Sequence, residues 1–239
     1  MNYIFETPID TARAVATIIL QSAKSKVELS LPFNIALSGG STPKQLFTIM
    51  VSEFSDSIPW HCVRVFWVDE RCVSATDTES NYGMTYENLL VKVPIPKSNI
   101  FRIRGENSPD VETKRYQRLL ENELPSSNGF PQFDLVLLGM GDDGHTASIF
   151  PNNKGLIHPE ESVAVAEHPT SGQKRITLTG STIEQANHVI FLITGNSKAN
   201  VLREIIHGEL NCENYPAFHF INNNKTVDLY LDKCAASQI

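Results

Sequence analysis

The chain predicts an α/β protein built on a mostly parallel sheet with helices on both faces. Short apolar runs of strand length alternate with longer segments whose apolar residues recur at helical spacing. The runs end in Gly, Ser, Asn or Asp and pass straight into helix-start signals, the strand-turn-helix order that right-handed crossovers join into a parallel sheet. Size agrees: 239 residues, 41% hydrophobic and 20% charged, fill one extended α/β core, so residues 1–239 read as a single domain.

Thr7-Pro8-Ile9-Asp10 starts a helix, with Thr7 as N-cap, Pro8 at the first helical position and Asp10 in the first turn. Ala14, Val15, Ile18 and Ile19 give it an apolar face. Asn34 to Leu37 is a strand ending at Ser38-Gly39-Gly40, after which Thr42-Pro43 opens a helix with Leu46, Phe47 and Met50 inward. Val63 to Val68 is the next strand and ends in Asp69-Glu70-Arg71. Helices follow Asn81 and run from Pro109 to Leu124. Phe133 to Leu138 is a strand, and further strands fall at Ser162 to Ala166, Arg175 to Leu178, Val189 to Thr194 and Val227 to Leu231. Ser181-Thr182-Ile183-Glu184 fits a capping box, and Asn196 to Ile206 fits a helix. Leu156 to Gly180 carries fewer helical signals and reads as a smaller strand-rich excursion.

Formal net charge is −7, and no basic block stands out, which argues against nucleic acid as partner. No segment reaches the roughly 18 apolar residues of a membrane span. Met1 to Glu6 lacks a basic stretch before a long apolar run, so a cytoplasmic protein is expected. Cys62, Cys72, Cys212 and Cys234 make neither a CxxC pair nor a cluster with histidines, so neither zinc nor a structural disulfide is expected.

Two strand exits carry chemistry. After Leu138 come Gly139, Gly141, Asp142, Asp143, Gly144 and His145, a turn that presents a carboxylate and an imidazole at the carboxyl edge of the sheet, where open α/β sheets place ligands. Histidine takes up and returns protons near neutral pH, and glycine backbone lets a substrate approach closely. The same residues also describe an ordinary turn with a helix-capping histidine, and Asp143 either orients His145, holds a substrate hydroxyl or caps the turn. The second exit, Ser38-Gly39-Gly40-Ser41-Thr42-Pro43, offers hydroxyls and the free N–H groups of a helix start, which favour phosphate. It has neither the GxxxxGK[ST] nor the GxGxxG spacing. Arg175 opens a strand, and Lys198 stands near a helix start, where a cation opposes the helix dipole and a bound anion would account for it.

These blocks resemble the 6-phosphogluconolactonase family. The matching segments are Ala36 to Pro43, Phe66 to Val73 with Ser80-Asn81-Tyr82, Leu137 to Pro151, Arg175 to Thr179, Gly195 to Ala199 and Tyr215-Pro216-Ala217, in family order over nearly the whole chain. The resemblance implies a three-layer modified Rossmann-like fold with a small additional strand element, shared with glucosamine-6-phosphate deaminases. It also implies one catalytic domain that hydrolyses a phosphorylated sugar lactone, 6-phospho-D-glucono-1,5-lactone, with no cofactor or metal. His145 matches the catalytic histidine. Ser38, Gly39, Gly40, Ser41 and Thr42, with Arg175 and Lys198, match phosphate-site positions, while Asp69, Arg71 and Asp143 match polar positions around the sugar ring. In the deaminases the histidine is followed by Ile-Ala-Phe-Asn-Glu; here Phe150 stands at the glutamate position and cannot move a proton. A noncatalytic phosphosugar sensor would use the same pocket, and turnover separates the two.

Overall fold

The structure, a computed structural model, describes residues 1–223 and 226–239. In chain order its elements begin β1 (Asn2–Phe5), α1 (Pro8–Glu28), β2 (Phe33–Leu37), α2 (Ser41–Phe54), β3 (Val63–Trp67), β4 (Asp69–Arg71), α3 (Asn81–Asn88) and α4 (Pro109–Glu123). The small hairpin β5 (Ser126–Ser127) and β6 (Phe130–Pro131) leads to β7 (Leu135–Leu138), β8 (Val163–Glu167), β9 (Lys174–Leu178) and α5 (Gly180–Ile183). The chain closes with β10 (Val189–Ile193), α6 (Ala199–His207), α7 (Pro216–Asn223) and β11 (Val227–Asp232).

Six strands form the main sheet in the order β1-β11-β10-β7-β2-β3, all parallel. The central strands read Phe-Asn-Ile-Ala-Leu, Leu-Val-Leu-Leu and Val-Ile-Phe-Leu-Ile and are buried along their whole length, as a sheet covered on both faces requires. The chain moves one way across the sheet from β1 through β2 to β3, then returns through β7, β10 and β11. Right-handed crossovers therefore place α1 and α2 on one face and α4, α6 and α7 on the other. The reversal falls between neighbours β2 and β7, and a crevice opens there at the carboxyl ends of the strands.

Local signals set the first helix. Thr7 sits in extended conformation and its Oγ1 accepts the Asp10 N–H at 3.1 Å, a cap worth about 1 kcal/mol. Val15 and Ile19 are buried on its inner face, with Ala14 and Ile18 at the half-buried margin. In α2, Leu46, Phe47 and Met50 face inward, and α1 packs against α2. Trp67 and Phe66 are wholly buried in the core. No helix among the described residues is long and apolar enough to cross a membrane.

The strand-rich excursion forms a second, antiparallel sheet in the order β4-β9-β8. Val68 is the junction: its N–H donates to Leu37 O at 3.0 Å, and its carbonyl accepts from the Leu178 N–H at 2.7 Å. Asp69-Glu70-Arg71 is thus a strand of the small sheet rather than the tail of β3. The Ser181 capping box is not formed. Thr179 holds the N-cap position of the one-turn α5, Ser181 Oγ donates to Pro159 O at 2.7 Å, and Thr182 Oγ1 donates to Ser162 O at 2.9 Å, so these hydroxyls anchor the preceding loop instead. The helix expected over Asn196 to Ile206 begins as a 3-10 turn, Asn196–Lys198, and continues as α6.

Candidate active site

Both strand exits singled out in the sequence meet at the reversal between β2 and β7. Ser38 Oγ donates to Leu137 O at 2.7 Å and is buried, so this hydroxyl ties the two strand ends together. A Cβ on Gly39 would lie 1.7 Å from Asn81 Oδ1, so only glycine lets the N-terminus of α3 cross here. Gly40, at φ 107°, is the N-cap of α2 and has no side-chain capping bond. The helix start therefore offers the N–H groups of Ser41 and Thr42 to a ligand. Thr42 Oγ1 lies 3.0 Å from Thr194 Oγ1 at the end of β10.

The β7 exit folds around its histidine. The Gly141 N–H donates to His145 O at 2.9 Å, and the Gly144 N–H donates to Gly141 O at 3.1 Å. A Cβ on Gly141 would lie 2.1 Å from His145 Nδ1 and 2.6 Å from Asp143 Oδ1, so glycine leaves the space that this pair fills. Asp143 Oδ1 is 2.5 Å from His145 Nδ1 and also accepts the His145 backbone N–H at 3.2 Å. Burial opposes the ionised carboxyl, but the hydrogen bond and charge of His145 outweigh it and hold Asp143 down at about 2. An ionised carboxylate at Nδ1 fixes the proton there and leaves Nε2 of the neutral ring as a proton acceptor. Ala147 then takes φ 51°, a left-handed conformation costly for a residue with a Cβ. Beyond it, Phe150 packs 4.9 Å from the His145 ring, centroid to centroid.

The small sheet brings in the arginines. Arg71 on β4 and Arg175 on β9 are direct partners across the antiparallel ladder, an arrangement that destabilises like charges. The Arg71 guanidinium donates to Glu79 O at 2.6 Å, and Arg175 lies over the Phe150 ring at 5.6 Å. Nε of each is buried without a hydrogen-bond partner, a state shared among the described side chains only with Ser162 Oγ. Burial first, and then the charge of Arg71, work against the protonated form of Arg175. Across the ladder each arginine thus keeps a buried Nε–H without an acceptor, the kind of donor that an anion satisfies.

A cavity of about 270 Å³ opens among these groups, lined by residues of both loops and by His145, Arg71, Arg175 and Lys198. Asp143 stands behind His145, outside the lining. Asp69 lines the cavity, but its oxygens are engaged: Oδ1 accepts from Asn81 Nδ2 at 3.0 Å and Oδ2 from Ser148 Oγ at 2.6 Å. Lys198 lines it too, with its ammonium paired to Asp142. Asn81 and Thr194 also line it and were given no role from the sequence. The signals for them are weak: Asn81 follows the helix cap Ser80, and Thr194 is the first residue after β10, the strand next to β7. Buried Glu70 holds this corner by accepting the N–H groups of Arg71, Asn81 and Tyr82 and the Ser80 hydroxyl. Among the described residues no three His, Cys, Asp or Glu side chains cluster as metal ligands would.

The family model described as glucosamine-6-phosphate isomerases/6-phosphogluconolactonase matches residues 6–229. The 6-phosphogluconolactonase of Haemophilus influenzae is 42% identical over 236 residues, which cover 98% of each chain. That of Aggregatibacter actinomycetemcomitans is 42% identical over 237 residues, 99% of each chain. Among solved structures, 6-phosphogluconolactonase from Leishmania guyanensis superposes with a TM-score of 0.88 at 31% identity, covering 100% of this chain and 98% of the other. A monomeric glucosamine-6-phosphate deaminase shares the fold, with a TM-score of 0.82 at 21% identity over 100% of this chain and 99% of that one. With motifs, sheet order and relatives in agreement, the chain belongs to the glucosamine-6-phosphate isomerase/6-phosphogluconolactonase family.

Proposed function

We propose that this protein hydrolyses 6-phospho-D-glucono-1,5-lactone to 6-phospho-D-gluconate, a step of the oxidative pentose phosphate pathway. The observation that carries the reading is the Asp143-His145 pair, set against a cavity that also holds an open helix start and two unpaired arginines. In this reading His145 Nε2 takes a proton from water as the water oxygen adds to the lactone carbonyl carbon. Arg71 or nearby backbone N–H groups stabilise the tetrahedral oxyanion. The imidazolium then gives its proton to the ring oxygen as the carbon–oxygen bond breaks, and Asp143 keeps the ring oriented throughout. The phosphate is received by the N–H groups and hydroxyls of Ser41 and Thr42, with Arg175 and Lys198 supplying charge. Gly39 and Gly40 let it approach, and Ser38 contributes by holding the loop to β7. Asp69 fixes Asn81 and Ser148 at the sugar side of the cavity.

Lactone hydrolysis is favoured over deamination because the ring beside His145 belongs to Phe150, which offers no carboxyl for acid/base work during ring opening. A covalent serine route has little support, since neither Ser38 nor Ser41 sits in GxSxG. The test is hydrolysis of freshly generated 6-phosphogluconolactone, which also opens without catalyst. The rate rises in proportion to protein concentration if the reading is right, and stays at the uncatalysed value with folded protein if it is wrong.

A further inference from the structure

Lys198 is not a free cation in the unliganded protein. Its ammonium is ion-paired with the Asp142 carboxylate, joining the β7 exit loop to the turn that precedes α6. The two ends of this pair differ. The lysine side chain is 22% exposed and lines the cavity, whereas the aspartate is 69% exposed and is absent from the lining. The carboxylate thus reaches the ammonium from the solvent side of the mouth. The hydrogen bond from Lys198 holds the Asp142 carboxyl below the usual carboxylate range, so it is charged at neutral pH. Its loop neighbours have other tasks: Gly141 leaves room for the His145 pair, and Asp143 binds the ring.

We propose that Asp142 is a specificity-determining residue, a built-in competitor that holds Lys198 until a substrate phosphate displaces it. The inference rests on the assignment of Lys198 to the phosphate. A phosphate monoester carries about −1.5 to −2 charges at neutral pH and three acceptor oxygens. It outcompetes a solvated carboxylate of single charge, because it is also met by the open start of α2. A neutral sugar hydroxyl brings no charge and leaves the lysine with Asp142. Phosphate affinity is lowered by the fraction of molecules in which Lys198 is occupied, the usual cost of binding a partly populated competent state. On release of the anionic product the carboxylate recaptures the ammonium, so the cation is not left unpaired.

The experiment is calorimetric titration with inorganic phosphate, at fixed ionic strength, of the parent, Asp142→Asn, Lys198→Ala and the double variant, each first shown to melt cooperatively. An exposed ion pair is worth about 0.2–1 kcal/mol, so Asp142→Asn is expected to bind phosphate about 1.5- to 5-fold more tightly. In the Lys198→Ala background the same change is expected to do nothing. No tightening in Asp142→Asn overturns the proposal. So does a gain of equal size without the lysine, which marks a general field effect rather than competition. If Lys198→Ala binds phosphate as well as the parent, or if none of the four binds it, the phosphate assignment itself falls and the competition with it.

Discussion

The two ends of the main sheet treat charge in opposite ways. At the amino end several charged groups are paired across elements. Asp134 accepts the Asn34 N–H at 2.9 Å, receives Asn187 Nδ2 at 3.1 Å and pairs with Lys26 at 2.6 Å. Arg64 is held by Glu123 and by Asn34 Oδ1, and Asp228 binds both His188 and the Met1 ammonium. At the carboxyl end Arg71 and Arg175 face each other, and among the described residues neither forms an ion pair. Asp69 is committed to neutral partners, Asp143 to His145, and Lys198 has only the mostly exposed Asp142. The amino end uses its charges to join strands and helices, and the carboxyl end leaves its two arginines without a counter-ion among the described residues.

The contrast between the two ends can be tested by substitution. The largest effect is expected at His145→Ala, where turnover of the lactone falls by roughly 10²- to 10⁴-fold after correction for spontaneous opening, with the melting temperature near the parent value. Wild-type turnover at saturating substrate would remove His145 from the reaction. Next are Arg175→Ala and Lys198→Ala, each expected to weaken transition-state binding of the phosphorylated lactone by about 1.5–3 kcal/mol, less where water screens the contact. Because Arg175 opposes Arg71, its removal is expected to leave folding stability unchanged or slightly raised. A denaturant midpoint that drops sharply in Arg175→Ala would mean the arginine is structural.

Asp134→Ala is the mirror experiment at the amino end. It strands Lys26 and the Asn34 N–H, so a loss of about 1–3 kcal/mol in unfolding free energy is expected, with kcat/KM unchanged below the new melting range. A loss of activity without a loss of stability would dissolve the division between the two ends. The smallest effect concerns Asp143. Its folded carboxyl titrates at about 2, below the ordinary value of about 3.9. It therefore contributes stability that is complete above about pH 3.9 and is lost as pH falls through about 2. The side chain is about half exposed, so in Asp143→Asn only a slight flattening of the acid limb of the stability curve is expected. Melting temperatures followed down to about pH 2 check it.

Much of this organisation was legible in the sequence because the central parallel strands are short, mostly apolar runs that pass directly into glycine-containing turns. That is why Asn34–Leu37, Phe133–Leu138 and Val189–Thr194 pointed to the right edge of the sheet. The edge strand β1 was missed because Asn2–Phe5 is only four residues long and its apolar side chains lie at both exposed and half-buried positions, so no alternation marks a buried face. Helix α7 was missed as well, since Pro216–Asn223 is too short to build a clear helical period. Within the site, the glycine turns and His145 could be read locally. What Ser38 does could not, because its hydroxyl is spent on Leu137, a partner set by the pairing of β2 with β7. The meeting of Arg71 and Arg175 depends on the register of β4 with β9, and the approach of Asn81 to Gly39 on how α3 crosses the phosphate loop. No local sequence pattern encodes either.

The most direct test of the reserved-cation account is the ratio of kcat/KM for 6-phosphogluconolactone to that for the unphosphorylated lactone, measured in the parent and in Arg175→Ala/Lys198→Ala. A strong preference for the phosphorylated lactone is expected in the parent and is expected to collapse in the double variant, while hydrolysis of the unphosphorylated lactone changes little. An undiminished preference in the double variant would contradict it.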